Sequence, residues 1–331
     1  MKILVAPLNW GLGHASRCIP LVQRFMEEGH EVILGGDGDS LILLRKHFPK
    51  LRYVYLAPLN LRYSRGKSQV FAISKSIPAF IRWSFRDHVM LEAILREESI
   101  DRVVSDNRFG LYSPRTECIY MTHQLHILLP KGWHWAEKMV SRVHARIYAH
   151  FNKVWVPDFP GDGKSIPPRD TLAGELSHPS FQIKHLQCPI EYIGPLSRFE
   201  RPVQSVPQSA DTQEKEYGIV SVLSGPEPQR SMLEAEIKQR FSGQEQKVLI
   251  VQGLMSRPMV RIKQRNITII PHLNDAELQK ALLNADRIIA RSGYSTIMDL
   301  HALGILGKAE LIPTPGQPEQ EYLATWLNAH A

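Results

Sequence analysis

Arg291, Ser292, Gly293, Tyr294, Ser295 and Thr296 form a small, polar, glycine-containing turn between the apolar run RIIA and the helix-periodic run IMDLHAL. A strand ending in such a turn presents unpaired backbone N–H groups at a helix N-terminus. Orphan donors and the helix dipole favour an anion there. The same residues would also serve as ordinary helix caps. Leu223-Ser224-Gly225-Pro226 repeats the strand–turn–helix arrangement and makes a second anion-accepting turn. LIPTPGQPEQEYLA closes a further strand and opens a helix, with Gln317, Glu319, Gln320 and Glu321 at its turn. Read locally, that is a Pro-Gly turn followed by an acidic first helical turn. Together these turns suit a diphosphate.

Near the start, Asn9-Trp10-Gly11-Leu12-Gly13-His14 follows KILVAPL and opens a helix. Gly11 and Gly13 let backbone pass close to a ligand, on what would be the acceptor side. The loop lacks the third glycine of a dinucleotide fingerprint, and no convincing acidic partner follows, which argues against a nicotinamide enzyme. His14 falls where the positive helix end favours a neutral imidazole able to accept a proton. Asp106 ends DRVVSD, so both side chains are expected at one carboxyl-end crevice. A carboxylate beside an imidazole fixes its tautomer and stabilises the imidazolium. The plainer alternative is that His14 packs and Asp106 caps the next turn. His123, in MTHQLH, is another strand-end histidine, open to an acceptor-side or a structural role. Asp37-Gly38-Asp39 has the spacing of a metal-binding pair, but no carboxylate or histidine cluster accompanies it, so capping is expected and no metal site.

The elements that must position these residues alternate. KILVAPL, EVILGG, YVYLAP, DRVVSD, CIYMTHQ and KVWVPD read as strands, and ASRCIPLVQRFMEEGH, DSLILLRKHFP and MLEAILREES as helices. A second alternating set runs from YGIVSVLSG to EQEYLATWLNAHA. Such alternation predicts parallel sheets covered on both faces, with ligands outside the strands' carboxyl ends. Residues 195–216 are rich in Pro, Gln, Ser and charge and read as a linker between domains 1–194 and 217–331. Residues 61–90 interleave Arg62, Arg65, Lys67, Lys75, Arg82 and Arg86 with Phe71, Ile77, Phe80, Ile81, Trp83 and Phe85. A basic amphipathic segment of this kind can lie on an anionic membrane. The plainer reading is a helix or loop along the cleft with solvated basic residues.

At 331 residues the chain is long for one core and suits two. Its 43% hydrophobic and 22% charged content is that of a globular protein. A net charge of +7 suits nucleotides, phosphates or an anionic membrane surface. No zinc-finger spacing, basic tail or RNA-binding motif suggests nucleic acid. Cys18, Cys118 and Cys188 are odd in number and far apart, so neither a disulfide framework nor a zinc site is expected, and a cytoplasmic setting is. The N-terminal apolar run reads as a strand, not a signal peptide, and no stretch reaches the roughly 18 apolar residues of a membrane span.

RSGYSTIMDL paired with LIPTPGQPEQEYLA, and PLNWGLGHASR before them, resemble the GT-B glycosyltransferases, and within them the peptidoglycan UDP-N-acetylglucosamine transferase and its relatives. The resemblance implies an α/β fold of two doubly wound Rossmann-like domains facing across a cleft. It implies inverting, metal-independent transfer of a hexose or N-acetylhexosamine from a UDP-sugar to a hydroxyl acceptor. That acceptor would be a glycan or lipid-linked glycan, reached from the inner face of the membrane. The UDP-sugar is a co-substrate, and no cofactor is implied. By position, Ser292 to Thr296 would cradle the diphosphate, with Ser224 and Gly225 as a second turn and Arg198 facing phosphate. Asp299 falls where the family has a Glu on the ribose hydroxyls. Gln320 and Glu321 fall where it has Gln-Gln facing the sugar, and His272 and Leu273 near the backbone that reads the base. His14 would be the general base and Asp106 its orienting partner. GT-B chains usually end in a helix that crosses back onto the first domain. This chain stops at Ala331, within or just after the helix begun at Gln317, so the expectation is that either that crossing is lost or the chain is cut short. An epimerase or hydrolase on the same fold, or a non-catalytic nucleotide-sugar or carbohydrate binder, are the alternatives.

Overall fold

The computed structural model describes residues 1–59, 69–181, 188–200, 216–225 and 227–330, with backbone alone over 69–77. Most of the expected linker, Pro226, Ala331, and the basic residues Arg62, Arg65 and Lys67 lie outside the described residues.

β1 (Lys2–Pro7) shows why a sheet forms here. Its side chains alternate, Ile3 and Val5 into one apolar cluster and Leu4 and Ala6 into another, so both faces of the strand are buried. Around it lie β2 (Glu31–Gly36), β3 (Arg52–Tyr55), β4 (Arg102–Asp106), β5 (Glu117–Met121), β6 (Lys153–Val156) and β7 (Ile190–Tyr192). They form one parallel sheet in the order β3-β2-β1-β4-β5-β6-β7. α1 (Gly13–Glu27), α2 (Gly38–His47), α3 (Gln69–Glu97) and α4 (Glu137–Tyr148) accompany it. α1 stops at Gly29, whose φ of 78° suits glycine and lets the His30 N–H return to the Phe25 carbonyl at 2.9 Å.

The second sheet contains β8 (Ile219–Val222), β9 (Val248–Val251), β10 (Ile262–Gln264), β11 (Ile267–Ile270), β12 (Arg287–Arg291) and β13 (Ala309–Ile312). Its order is β10-β11-β9-β8-β12-β13, parallel except for the pairing of β10 with β11. α5 (Gln229–Phe241), α6 (Asp275–Asn284), α7 (Tyr294–Ala302) and α8 (Pro318–His330) complete this half. α6 begins with a capping box, Asn274 accepting from the Glu277 N–H while Glu277 reaches back to the Asn274 N–H.

Three elements lie outside the sequence reading. β7 and β10 are short and exposed, with no run of apolar residues to mark them. α4 buries Glu137, Ser141, His144, Ala145 and Tyr148, so its inward face is largely polar, while Met139 and Val143 lie on its open face. α3 is far longer than MLEAILREES suggested.

The halves share a core. One cluster holds Ile3, Val5, Ile19 and Val22 of the first half together with Tyr294, Ile297 and Met298 of α7 and Leu323 and Leu327 of α8. α8 also hydrogen-bonds to the first half: the Tyr322 hydroxyl accepts from the Glu175 N–H at 2.7 Å, and Trp326 Nε1 donates to the Thr171 carbonyl at 3.0 Å. The helix that opens at the PGQPEQ turn therefore itself packs onto the first half.

Candidate active site

Strand order reverses beside β1, between β2 and β4, and again beside β8, between β9 and β12. In parallel sheets such points open a crevice at the carboxyl ends of the strands. Asp106 ends β4 and His14 lies in the first turn of α1, after β1. His14 Nδ1 and Asp106 Oδ1 are 3.0 Å apart. Asp106 is wholly buried, while the His14 side chain keeps 17% of its surface exposed. Burial alone would raise the Asp106 pKa. The Arg17 guanidinium and then His14 outweigh it and hold the carboxyl well below its usual range. Arg17 Nη2 also lies 3.0 Å from His14 Nδ1; with the Nδ1 proton turned to the Asp106 carboxylate, Nε2 keeps the lone pair.

Arg17 is the residue the sequence reading missed. It lies three residues after His14 on α1, so both emerge from one helix face. It is 1% exposed and holds Asp106 through Nε at 2.8 Å and through Nη2. Its Nη1 lies 3.2 Å from His123 Nδ1. A guanidinium can only donate, so His123 Nδ1 accepts, and Nε2–H donates to Glu319 Oε1 at 2.8 Å. Burial lowers the His123 pKa more than Glu319 raises it, and Arg17 adds to the lowering. Burial would raise the pKa of Glu319, in the first turn of α8, but the hydrogen bond from His123 outweighs it and draws the carboxyl below its ordinary value. Both ring nitrogens of His123 are thus engaged in a bridge between the halves, and its ring stacks on Tyr294 at 4.2 Å.

The second half places its expected residues unevenly. β12 does feed a turn and α7, with Gly293 as N-cap. Several side chains there are engaged in holding structure. Arg291 is buried and donates to the carbonyls of Pro313 and Gln229, each at 3.0 Å. Ser292 Oγ donates to the Gln320 carbonyl at 2.8 Å. The Tyr294 hydroxyl donates to the Pro157 carbonyl at 2.8 Å, across the interface. Ser295 and Thr296 keep partial exposure at the start of α7. Asp299 accepts from Ser197 Oγ at 2.7 Å and from Arg198 Nε at 3.2 Å. Burial raises its pKa more than Arg198 lowers it. Arg198 also reaches Asp275, which pairs with His47 of α2 at 2.7 Å. Arg198 and Asp299 therefore pair with each other. Gln320 Oε1 accepts from the Thr314 N–H and Glu321 Oε1 from the Gly316 N–H, bracing the turn that Gln317 closes with its N–H to the Thr314 carbonyl. His272 Nε2 lies 3.3 Å from Lys46 Nζ of the first half, and Leu273 packs on the second core.

A cavity of about 240 Å³ opens between the halves, lined by Asn9 to Leu12, Asp39 and Leu59 on one side and Ser224, Gly225, Glu227, Arg230, Gly253 and Leu254 on the other. The loops meet backbone to backbone: a Cβ on Gly11, whose φ is 77°, would lie 3.2 Å from the Gly225 nitrogen. A Cβ on Gly13 would lie 2.9 Å from Ser295 Oγ, so α1 and α7 abut at their N-termini. Arg230, in the first turn of α5, is buried, pairs with Glu227 and Glu234, and has no hydrogen-bond partner for Nε among the described residues. Asp37 is held by Arg108 at 3.0 Å and by Asn9 at 3.0 Å, so half of the Asp37–Asp39 pair is engaged in structure. Among the described residues no group of three or more His, Cys, Asp or Glu could hold a metal.

No protein-family model matches the chain. Two curated relatives from Methanosarcina acetivorans are both named uncharacterized glycosyltransferase. One is 31% identical over 180 residues, covering 48% of this chain and 43% of the relative, so the match spans less than half of that protein. The other is 23% identical over 333 residues, covering 97% of this chain and 82% of the relative. Among solved structures, the spinosyn rhamnosyltransferase SpnG complexed with thymidine diphosphate aligns with a TM-score of 0.56 at 14% identity, covering 99% of this chain and 84% of that one. Arabidopsis thaliana UGT89C1 complexed with UDP-L-rhamnose aligns at 0.55 and 14%, covering 98% and 82%. Two parallel-dominated sheets, two facing switch points and these alignments give the chain the GT-B fold.

Proposed function

We propose that the protein is an inverting glycosyltransferase that moves a sugar from a nucleoside diphosphate donor to a hydroxyl acceptor. The observation that carries the reading is the contact between His14, whose side chain is 17% exposed, and the buried carboxylate of Asp106. His14 Nε2 takes the acceptor proton as the acceptor oxygen attacks the anomeric carbon. The bond from that carbon to the diphosphate oxygen breaks in the same step, and a single displacement inverts the centre. The imidazolium so formed is stabilised by Asp106. Charge on the departing diphosphate would be met by the α7 N-terminus at Gly293 to Thr296, and by Ser224, Gly225 and Arg230 beside the cavity. A UDP-linked hexose or N-acetylhexosamine is the donor that RSGYSTIMDL and LIPTPGQPEQEYLA favour. The fold neighbours bind thymidine diphosphate in one case and UDP-L-rhamnose in the other.

The test is thermal stabilisation by UDP, TDP, GDP, ADP and NAD, followed by His14→Ala. A ligand of the folded state raises the melting temperature by mass action. UDP or TDP should shift it and NAD should not, and His14→Ala should retain that shift while losing transfer. A chain indifferent to every nucleoside diphosphate would overturn the reading.

A further inference from the structure

One ring touches both the donor-side turns and the group that holds the base. His123, 4% exposed, follows β5 and lies where the halves meet. Its face stacks on Tyr294, the first residue of α7, with centroids 4.2 Å and planes 13° apart. Its Nε2–H donates to Glu319 Oε1, in the first turn of α8, at 2.8 Å, and its Nδ1 accepts from Arg17 Nη1 at 3.2 Å. The two turns are also tied to each other, since Ser292 Oγ donates to the Gln320 carbonyl at 2.8 Å.

Glu319 decides what His123 Nδ1 can do. An ionised carboxylate only accepts, so it holds the ring proton on Nε2 and leaves Nδ1 as a bare lone pair. The opposite tautomer would set N–H against N–H and push the guanidinium away. Arg17 in turn decides what His14 can reach. Its planar, rigid fork takes Asp106 Oδ2 through Nε at 2.8 Å, while Nη2 reaches Oδ1 and lies 3.0 Å from His14 Nδ1. His14 uses the same Oδ1 at 3.0 Å. That oxygen is shared, and a small pivot of the guanidinium would crowd the imidazole off it. Nη1, on His123, is the arm that anchors the fork outside the His14–Asp106 pair.

We propose that His123 and Glu319 are positioning residues: through Arg17 they keep Asp106 Oδ1 available to His14, and they do so only while the turns of α7 and α8 lie against the first half. The base is thereby readied when the donor side is in place. The inference rests on the reading of His14 as general base.

Variants assayed below their melting transitions separate this role from packing. His123→Phe keeps a ring against Tyr294 and gives Arg17 no acceptor. His123→Asn gives up the ring and offers an amide oxygen near the place of Nδ1. Packing alone ranks Phe above Asn. Positioning ranks Asn above Phe in kcat, with Phe down by about 10²-fold and donor KM near the parent's. Glu319→Gln, whose amide oxygen can accept from Nε2–H, should turn over faster than Glu319→Ala. In a His14→Ala chain, His123→Phe should cost nothing further, because residues that act through one another are not additive. Phe equal to or above Asn in kcat, or a further loss on top of His14→Ala, would overturn the proposal. Ring-nitrogen NMR of the histidine-labelled chain needs neither donor nor acceptor, so it judges this inference even where no transfer is found. His14, identified by its absence from the His14→Ala spectrum, should carry its proton on Nδ1 in the parent and in His123→Asn, and lose that form in His123→Phe. A His14 ring unchanged by His123→Phe would equally overturn it.

Discussion

Arg17 makes the His14–Asp106 pair a connected group and not an isolated contact, and this sets what substitutions there should do. Asp106→Asn leaves the buried Arg17 guanidinium without its charge partner. Breaking a buried pair from one side costs about 3–5 kcal/mol. Chemical denaturation should therefore show Asp106→Asn to be strongly destabilised as well as inactive. His14→Ala removes a partly exposed ring and leaves the Arg17–Asp106 pair whole. Its stability should stay near the parent's, while turnover falls by about 10²–10⁴-fold with donor affinity retained. A His14→Ala chain that turns over normally would remove this residue from the chemistry. The pair itself resists acid. The folded pKa of Asp106 is depressed, so its stabilisation is present above the unfolded value near 3.9 and is lost only as pH falls through the lower folded value.

At the scale of elements, the N-termini of α1 and α7 meet through a glycine chosen for contact and not for dihedral freedom. Gly13 has no positive φ, yet a Cβ there would lie within 3.0 Å of both Oγ and Cβ of Ser295. Gly13→Ala should lower stability by about 1–3 kcal/mol through overpacking. Adding Ser295→Gly should restore part of the melting temperature. No recovery in the double variant would show that the strain lies elsewhere. The strand-to-helix punctuation around this contact was legible in the sequence, because buried parallel strands such as VLIV and RIIA read as short apolar runs with glycine or polar turns after them. α4 carries Met139, Val143 and Ile147 at helical spacing and was overlooked; what its sequence does not tell is the face it buries, because that face uses Ser141 and His144, whose burial depends on partners such as Tyr120, its hydroxyl 3.1 Å from His144 Nε2.

At the scale of the molecule, the halves are joined by core as well as by linker. Ile297, Met298, Leu323 and Leu327 pack into the cluster that also holds α1 and β1. The fragment 217–331 produced alone should expose these residues and fail to give a cooperative thermal transition. The whole chain should unfold in one. Leu323→Ala, at a fully buried site in this shared cluster, should cost about 2–5 kcal/mol and lower that single transition. Two separate transitions would contradict the shared core. His47 adds a pH-dependent term to the closure. Burial works against its charged form, but the Asp275 hydrogen bond and charge outweigh burial and the repulsion of Arg198, raising its pKa. Its stabilisation is full below the unfolded value near 6.5 and is lost as pH rises through the raised folded value. The difference in melting temperature between the parent and His47→Gln should shrink from about pH 6 to about pH 9.

Local sequence sufficed where the physics is local. Apolar runs, glycine and polar turns, and the order of strands and helices determine two doubly wound halves, and residues at strand ends such as His14, Asp106, Ser224 and Gly293 follow from that order. Tertiary structure alone decided which charges neutralise each other. Arg198 and Asp299 were read as facing a ligand and are held against each other, 101 residues apart. Arg17 drew no notice, and Glu319 was read only as part of its turn, because their partners, Asp106 and His123, lie 89 and 196 residues away. A buried charge must find a partner or lose its charge, and the chain meets that demand across distances no local pattern records. The same reason explains α8. Its sequence shows a helix, but that the helix crosses onto the first half depends on Thr171 and Glu175 offering groups for Trp326 and Tyr322.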